Sequence, residues 1–435
     1  MARIMLSTFG SSGDLNPFLA LGLRLHERGH EVRFAMQEHF RATVESLGFP
    51  VDVLSGNVVA NLAPAARQML GKSNPIRSIS LLVQQGILPT LSANVEELRQ
   101  ACGNADLLVA SSAQLAASFV ADLTGIPWVT AALTPVTLPS AHIITQPPPF
   151  TLPGPVQRAS NRFSWGLGGL ILGRIADRPI NRLRAGYGLP PRRELLWLGN
   201  ASEQLVCLAC SSVFQPRPPD WPAYVQVTGF CFWDTPSTWQ APPELEAYLG
   251  EGRPLVAVTA GSIGPEMRRA FAPYFQTSIA AIRQAGARAL VIGMAADDLG
   301  QPEDREVLAL PFAPYSAIFP HCAAIIQHGG IGTIAQALRF GVPALVVPWG
   351  FDQLYSASQV ARLGAGAYLP WSRFTVDRAA RILNQFLHTS RYLQAARHLR
   401  DQIAQEDGAA ALCAAIEQQL AAPQMSTIIS ERQQP

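Results

Sequence analysis

The stretch HGGIGT (328–333) lies between an apolar run, CAAIIQ (322–327), and an amphipathic one, IAQALRF (334–340). A buried strand that turns through glycines into a helix leaves the first N–H groups of that helix unpaired and pointed at one spot. The helix dipole also favours negative charge there. The stretch therefore predicts an anion site of the kind that holds phosphate. No lysine follows the glycines, so this is not the G-K-[ST] loop; His328 is the nearest side chain able to donate an N–H to a phosphate oxygen. The run continues as GVPALVVPWGFDQ (341–353), which places Asp352 and Gln353 just past the next strand, at the same sheet edge. A carboxylate and an amide beside a phosphate suit the hydroxyls of a sugar.

Outward from this loop, strands and helices alternate. In the first half, 3–9, 30–37, 105–112 and 126–133 read as strands, and 16–29, 91–102 and 114–125 as helices, with Pro17 in the first turn of its helix. The alternation restarts with strands at 253–262, 287–294, 322–327 and 343–349 and a helix at 271–286. Such alternation predicts parallel sheets covered on both faces, here an α/β chain of two doubly wound, Rossmann-like domains. The proline-rich stretch at 214–244 separates them. The expected division is 1–215, a linker at 216–243, 244–390, a C-terminal helix at 391–422 and a frayed tail at 423–435. A second proline-rich stretch, with QPPPFTLPGP at 146–155 inside a less periodic segment of 134–190, reads as a functional loop. Ligands of open α/β sheets bind outside the carboxyl ends of the strands, so the cleft between the domains is the expected site.

Composition agrees. A chain of 435 residues, 48% hydrophobic and 15% charged, is long enough for two cores, and a net charge of +2 is too close to neutral to suggest a nucleic-acid footprint. Cys207 and Cys210 form a C-x-x-C without a second pair or partner histidines, so reduced thiols are expected rather than a zinc site. The N-terminus begins directly as a strand, without a leader pattern, and a cytoplasmic location is expected. WGLGGLILG (165–173) falls well short of the roughly 20 residues a spanning helix needs, although it could lie against a membrane surface.

The run from His328 to Gln353 resembles the nucleotide-sugar signature of the UDP-glycosyltransferase superfamily, the family-one inverting enzymes of GT-B fold. GSSGDLNPFLALG (10–22) is similar to the G-x-x-G-D-x-x-P-[FL] opening of sterol glucosyltransferases, antibiotic glycosyltransferases and bacterial lipid rhamnosyltransferases. INRLRAGYGLPP (180–191) is similar to a helix and turn of the same group. The resemblance implies that His328, Gly330, Gly332 and Thr333 hold the donor pyrophosphate, that Ser262 reaches the terminal phosphate, and that the backbone at Phe312 and Ala313 reads the base. It implies that Asp352 and Gln353 bind the hexose and that Asp14 is the catalytic base. Gln336 stands where plant members carry the glutamate that grips the ribose, which leaves UDP and dTDP donors both open; the sterol-enzyme resemblance favours UDP-glucose.

The chemistry follows without the family. Departure of a nucleoside diphosphate needs charge stabilisation, which backbone N–H groups and His328 supply without a metal, and no D-x-D carboxylate pair is present to hold one. The attacking hydroxyl needs a base, and Asp14 suits that role, although an aspartate ahead of Pro17 also makes a good helix cap. His142 is the one other histidine expected near substrate. The segments expected to line an acceptor pocket, 57–70, 78–91 and 133–150, are rich in apolar residues and nearly free of acids, which favours a small lipophilic acceptor. Two further readings are a nucleotide-sugar epimerase, against which the apolar loop at 134–155 argues, and a non-catalytic nucleotide-sugar or lipid binder, against which Asp14 argues. An oxidoreductase would need a G-x-G-x-x-G after the first strand, where GSSGD stands instead.

Overall fold

A computed structural model describes residues 1–56, 75–143, 153–234, 239–250, 252–262, 265–299, 305–350 and 352–421. The expected acceptor segment 57–70 and part of the 133–150 segment lie outside these residues. Among the described residues, seven strands form a first sheet: β1 (Arg3–Ser7), β2 (Glu31–Gln37), β3 (Val51–Leu54), β4 (Leu107–Ser111), β5 (Trp128–Ala132), β6 (Val206–Leu208) and β7 (Val225–Val227). Their order is β3-β2-β1-β4-β5-β6-β7, and every pairing is parallel. A second sheet holds β8 (Leu255–Thr259), β9 (Arg288–Ile292), β10 (Val307–Leu310), β11 (Ala324–Gln327), β12 (Ala344–Val346) and β13 (Gly366–Tyr368), parallel throughout in the order β10-β9-β8-β11-β12-β13. Both sheets are doubly wound, and the order reverses between β1 and β4 in one and between β8 and β11 in the other. Those two crevices are where such folds place ligands.

The central strands are legible because they are buried on both faces. Every residue of β4, β5, β8 and β9 is buried, so each reads as an unbroken apolar run. Four of the strands without a stated sequence signal, β3, β7, β10 and β13, are the four sheet edges, and each is partly exposed. β7 lies inside 216–243, so that stretch is not all connection. Its neighbouring prolines are compatible with an edge strand, whose outer N–H groups need no partner.

The main helices of the first half are α1 (Ser12–Glu27), α2 (Leu88–Ala101), α3 (Ala116–Thr124), α4 (Gly154–Leu172) and α5 (Arg178–Gly186). The expected loop at 134–190 is therefore largely helical from 154 onward. Three glycines at 166, 168 and 169 hid α4 from a propensity reading, yet Asn161, Trp165 and Leu172 bury one face of it and hold it in place. Beside the second sheet lie α6 (Pro265–Gln284), α7 (Ile331–Arg339), α8 (Gln353–Arg362) and α9 (Val376–His388).

The C-terminal 391–422 segment is two helices rather than one. α10 (Ser390–Ile403) packs on α7, whereas α11 (Gly408–Ala421) packs on α1 of the first half. Leu412, Cys413, Ala415 and Ile416 enter the same buried cluster as Leu15, Leu19 and Leu25. Arg24–Asp407 at 3.1 Å and Arg28–Glu417 at 2.6 Å rim the contact. At the break, Glu406 accepts from the Ser212 N–H and hydroxyl at 3.1 and 2.6 Å. Gly408 crosses the Gly229–Phe230 backbone so closely that any Cβ would collide with the Phe230 carbonyl.

Gly408→Ala is therefore expected to destabilise the chain by about 1–3 kcal/mol, the usual range for overpacking. Hydrogen exchange should rise first in 408–421; unchanged protection there would show that the crossing does not hold α11 down.

Candidate active site

β1 ends at Ser7 and the chain turns through Gly10, whose φ is +140°. A Cβ on Gly10 would collide with the Asp14 carboxylate, so the missing side chain is what admits that group. Ser11 is the N-cap of α1. Its N–H and hydroxyl both donate to Asp14 Oδ2, at 2.7 and 3.0 Å, and the Asp14 N–H donates back to the Ser11 carbonyl at 2.9 Å. The helix thus begins at Ser12, a full turn before the expected start at 16, and Asp14 sits in its first turn. Asp14 both caps and remains available: no described residue donates to Oδ1. Removal from water pushes its carboxyl up, and the two bonds from Ser11 oppose this.

In the second sheet, His328 follows β11. Its ring lies between two glycines: a Cβ on Gly261 would stand 2.6 Å from Cε1, and one on Gly330 2.5 Å from Nε2. Burial pushes the imidazole down to about 4, so it is neutral at pH 7, and Nδ1 is buried without a partner among the described residues. Of the two things a lysine would bring here, His328 brings a hydrogen bond but no charge. Gly329 has φ +103°, and a Cβ there would meet Val346 Cγ1 at 2.9 Å and the Gln353 carbonyl at 3.0 Å. Only glycine fits this turn. Gly330 caps α7 without a side-chain bond, and the N–H groups of Ile331, Gly332 and Thr333 have no acceptor among the described residues. These unpaired donors at one helix start are the geometry on which the anion-site reading of HGGIGT rests.

The two halves meet here. The first turns of α1 and α7 come together at two glycines, where a Cβ on Gly332 would lie 3.9 Å from Gly13 Cα. Asp352, at the start of α8, is pushed up to about 6, first by burial and further by the nearby charge of Asp14, with the Thr134 hydroxyl pulling the other way. Gln353 is buried, and its Oε1 accepts from the Trp349 and Gly350 N–H groups at 2.9 and 3.1 Å. Its amide oxygen is thus committed to the loop, which leaves the NH₂ for a ligand. Gln336 Oε1 is buried and unpartnered among the described residues, an acceptor able to take a hydroxyl.

The remaining expected residues are spread more widely. Ala313 is buried, Phe312 is 58% exposed, and Ser262 is exposed in the turn after β8. His142 is exposed; its N–H bonds Ser140 Oγ at 2.9 Å, which in turn bonds Asp220 at 2.7 Å, and no described contact joins it to Asp14. Three residues escaped the sequence reading: Ser11, Thr134 and Gly261. Ser11 had a signal, because S-x-x-D ahead of an apolar run is a capping-box pattern. Thr134 had none, since its role arises only across the cleft. Cys207 and Cys210 are buried thiols; burial pushes Cys207 up to about 12.

Two helix N-termini, a neutral imidazole and two carboxylates at one cleft suit displacement of an anionic leaving group by a deprotonated nucleophile. Residues 4–143 match the glycosyltransferase family 28 N-terminal domain, and 301–418 match the erythromycin biosynthesis protein CIII-like C-terminal domain. Over 429 residues the chain is 30% identical to O-mycaminosyltylonolide 6-deoxyallosyltransferase of Streptomyces fradiae, covering 96% of this chain and 97% of that protein. The chain belongs to the UDP-glycosyltransferase superfamily. Solved structures place this glycosyltransferase in the GT-B fold. The kitacinnamycin glycosyltransferase superposes with TM-score 0.69 at 19% identity, over 96% of this chain and all of that one. The spinosyn rhamnosyltransferase SpnG, solved with thymidine diphosphate, gives 0.64 at 20%, over 95% of this chain and all of that one. Membership as a glycosyltransferase sets aside the epimerase, the non-catalytic binder and the oxidoreductase.

Two titrations follow from the site. The His328 ring should show an NMR midpoint near 4 in the free enzyme and move upward when a nucleotide sugar binds, because diphosphate charge favours imidazolium; an unmoved midpoint would mean that His328 does not meet the phosphates. For Asp352, the folded chain holds its proton to about pH 6 whereas the unfolded chain releases it near 3.8. Its contribution to stability is therefore present below 3.8 and lost as pH rises through 6. Asp352→Asn should raise Tm above pH 6 and leave it unchanged near pH 4, as thermal melts across that range would show.

Proposed function

We propose that this glycosyltransferase transfers glucose from UDP-glucose to a hydroxyl of a small lipophilic acceptor such as a sterol, terpenoid, polyketide, phenol or hydroxy-lipid. The observation that carries the reading is the meeting of Asp14 from one half with Asp352 and the open first turn of α7 from the other. A base and an anion cradle on opposite sides of one cleft are what transfer from a nucleotide sugar requires.

In this reading Asp14 Oδ1 takes the acceptor hydroxyl proton as the acceptor oxygen bonds to the anomeric carbon. The bond from that carbon to the diphosphate breaks on the opposite face, and UDP leaves with the electron pair, which inverts the centre. The free N–H groups of 331–333 and the His328 imidazole receive the growing charge on the diphosphate, with Ser262 at its outer end. Asp352 and the Gln353 NH₂ bind hexose hydroxyls, Gln336 Oε1 accepts from the ribose, and the backbone at Phe312 and Ala313 meets the base. Burial makes Asp14 a stronger base than an exposed aspartate. The relative named as a 6-deoxyallosyltransferase and the thymidine diphosphate in the SpnG structure favour a second reading, a dTDP-sugar donor.

Calorimetry with UDP-glucose and dTDP-glucose, without added metal, separates the two donors. Asp14→Asn should lower turnover by about 10²–10⁴ while donor affinity stays within twofold or so, since a positioned base acts on rate rather than on donor binding. Unchanged turnover would remove Asp14 from the mechanism.

A further inference from the structure

Independently of which donor and acceptor are used, we infer that α4 is a docking surface for an anionic lipid bilayer. Its two faces do different things. The inner face is pinned: Asn161 Nδ2 donates to the Ala141 carbonyl at 2.8 Å, Trp165 Nε1 to the Ile143 carbonyl at 3.3 Å, and the Trp165 ring packs edge-on against Trp197 at 4.9 Å. The outer face carries Phe163, Leu167 and Leu170, which are 72%, 46% and 64% exposed. Their spacing of four and three residues sets them on one stripe, and exposed Val156 extends it two turns towards the N-terminus. Few large apolar side chains are this exposed among the described residues, and these fall together on one helix.

Charge decides what covers the stripe. Arg162, Arg174, Arg178 and Arg182 are all exposed on or just beyond α4, and no described carboxylate pairs with any of them. Among the described residues Arg174 reaches only the Leu170 carbonyl, at 3.4 Å. The sequence contains no acid from 154 to 176. Asp177 is buried and accepts the Glu194 and Leu195 N–H groups at 2.8 and 3.0 Å, which leaves Glu194, beside Gly169, as the acid facing this side. An apolar stripe with a cationic rim fits the headgroup and acyl boundary of an anionic membrane. A second copy would set arginines against arginines in a two-fold contact. No described helix is long and apolar enough to cross a membrane, so α4 lies on the surface rather than through it.

Sedimentation of the full-length enzyme with vesicles tests this. Wild type should pellet with phosphatidylcholine vesicles containing phosphatidylglycerol, weakly with phosphatidylcholine alone, and less as salt rises. Phe163→Ser with Leu170→Ser should weaken binding about tenfold or more, and Arg162→Ala with Arg174→Ala should remove the preference for anionic vesicles. Thermal melts matching wild type establish that the variants are folded; single Leu167→Ser, which keeps most of the stripe, should give an intermediate loss. Failure of wild type to pellet with anionic vesicles at low salt would overturn the proposal, as would folded variants that bind like wild type. A dimer in gel filtration that Phe163→Ser abolishes, without vesicle binding, would overturn it in favour of self-association.

Discussion

The site of this protein depends on the approach of two helix N-termini, those of α1 and α7, across the cleft between the sheets. Each brings unpaired N–H groups and the positive end of a dipole. Gly13 and Gly332 meet there, so the two first turns can face one another across a narrow gap. The rest of the architecture serves this meeting. Doubly wound sheets put both crevices at their carboxyl edges. α11 then returns from the second half to the core of the first, tying together the two halves that carry the site.

Within that gap, burial rather than fixed positive charge sets the chemistry. His328 is held neutral, and Asp14 and Asp352 are both pushed up, each chiefly because water is excluded. No lysine or arginine is among the described residues that form the cradle. In the proposed transfer the diphosphate meets backbone dipoles, which need no reorganisation as charge develops on the leaving oxygen. The same burial that weakens the imidazolium makes the carboxylate a better proton acceptor, so one physical cause serves both halves of the proposed transfer.

How far the fold was legible depended on burial. β1, β4, β5, β8, β9, β11 and β12 are apolar runs shielded by helices on both sides, and each had a clear signal. β3, β7, β10 and β13 are edges, where half-exposed residues need no pattern of their own and pairing with an inner neighbour creates the strand. α4 was hidden for a related reason: its glycines and outward apolar residues spoil a helix pattern, and its stability comes from Asn161 and Trp165 held by the 141–143 backbone. The start of α1 was misjudged by a turn because Pro17 suggested a first turn there, whereas the Ser11–Asp14 capping box opens the helix earlier.

The sequence alone determined the doubly wound class, and it set the glycine turn at 328–333 and Asp352 and Gln353 at one sheet edge, the arrangement behind the proposed anion site. These follow from local periodicity and from residues close together in the chain. Only tertiary structure brought Asp14 beside Asp352 and Thr134, made His328 neutral between Gly261 and Gly330, and committed the Gln353 oxygen to Trp349 and Gly350. Each of those depends on desolvation or on contacts between segments far apart in sequence. Spacing along a chain carries no measure of either.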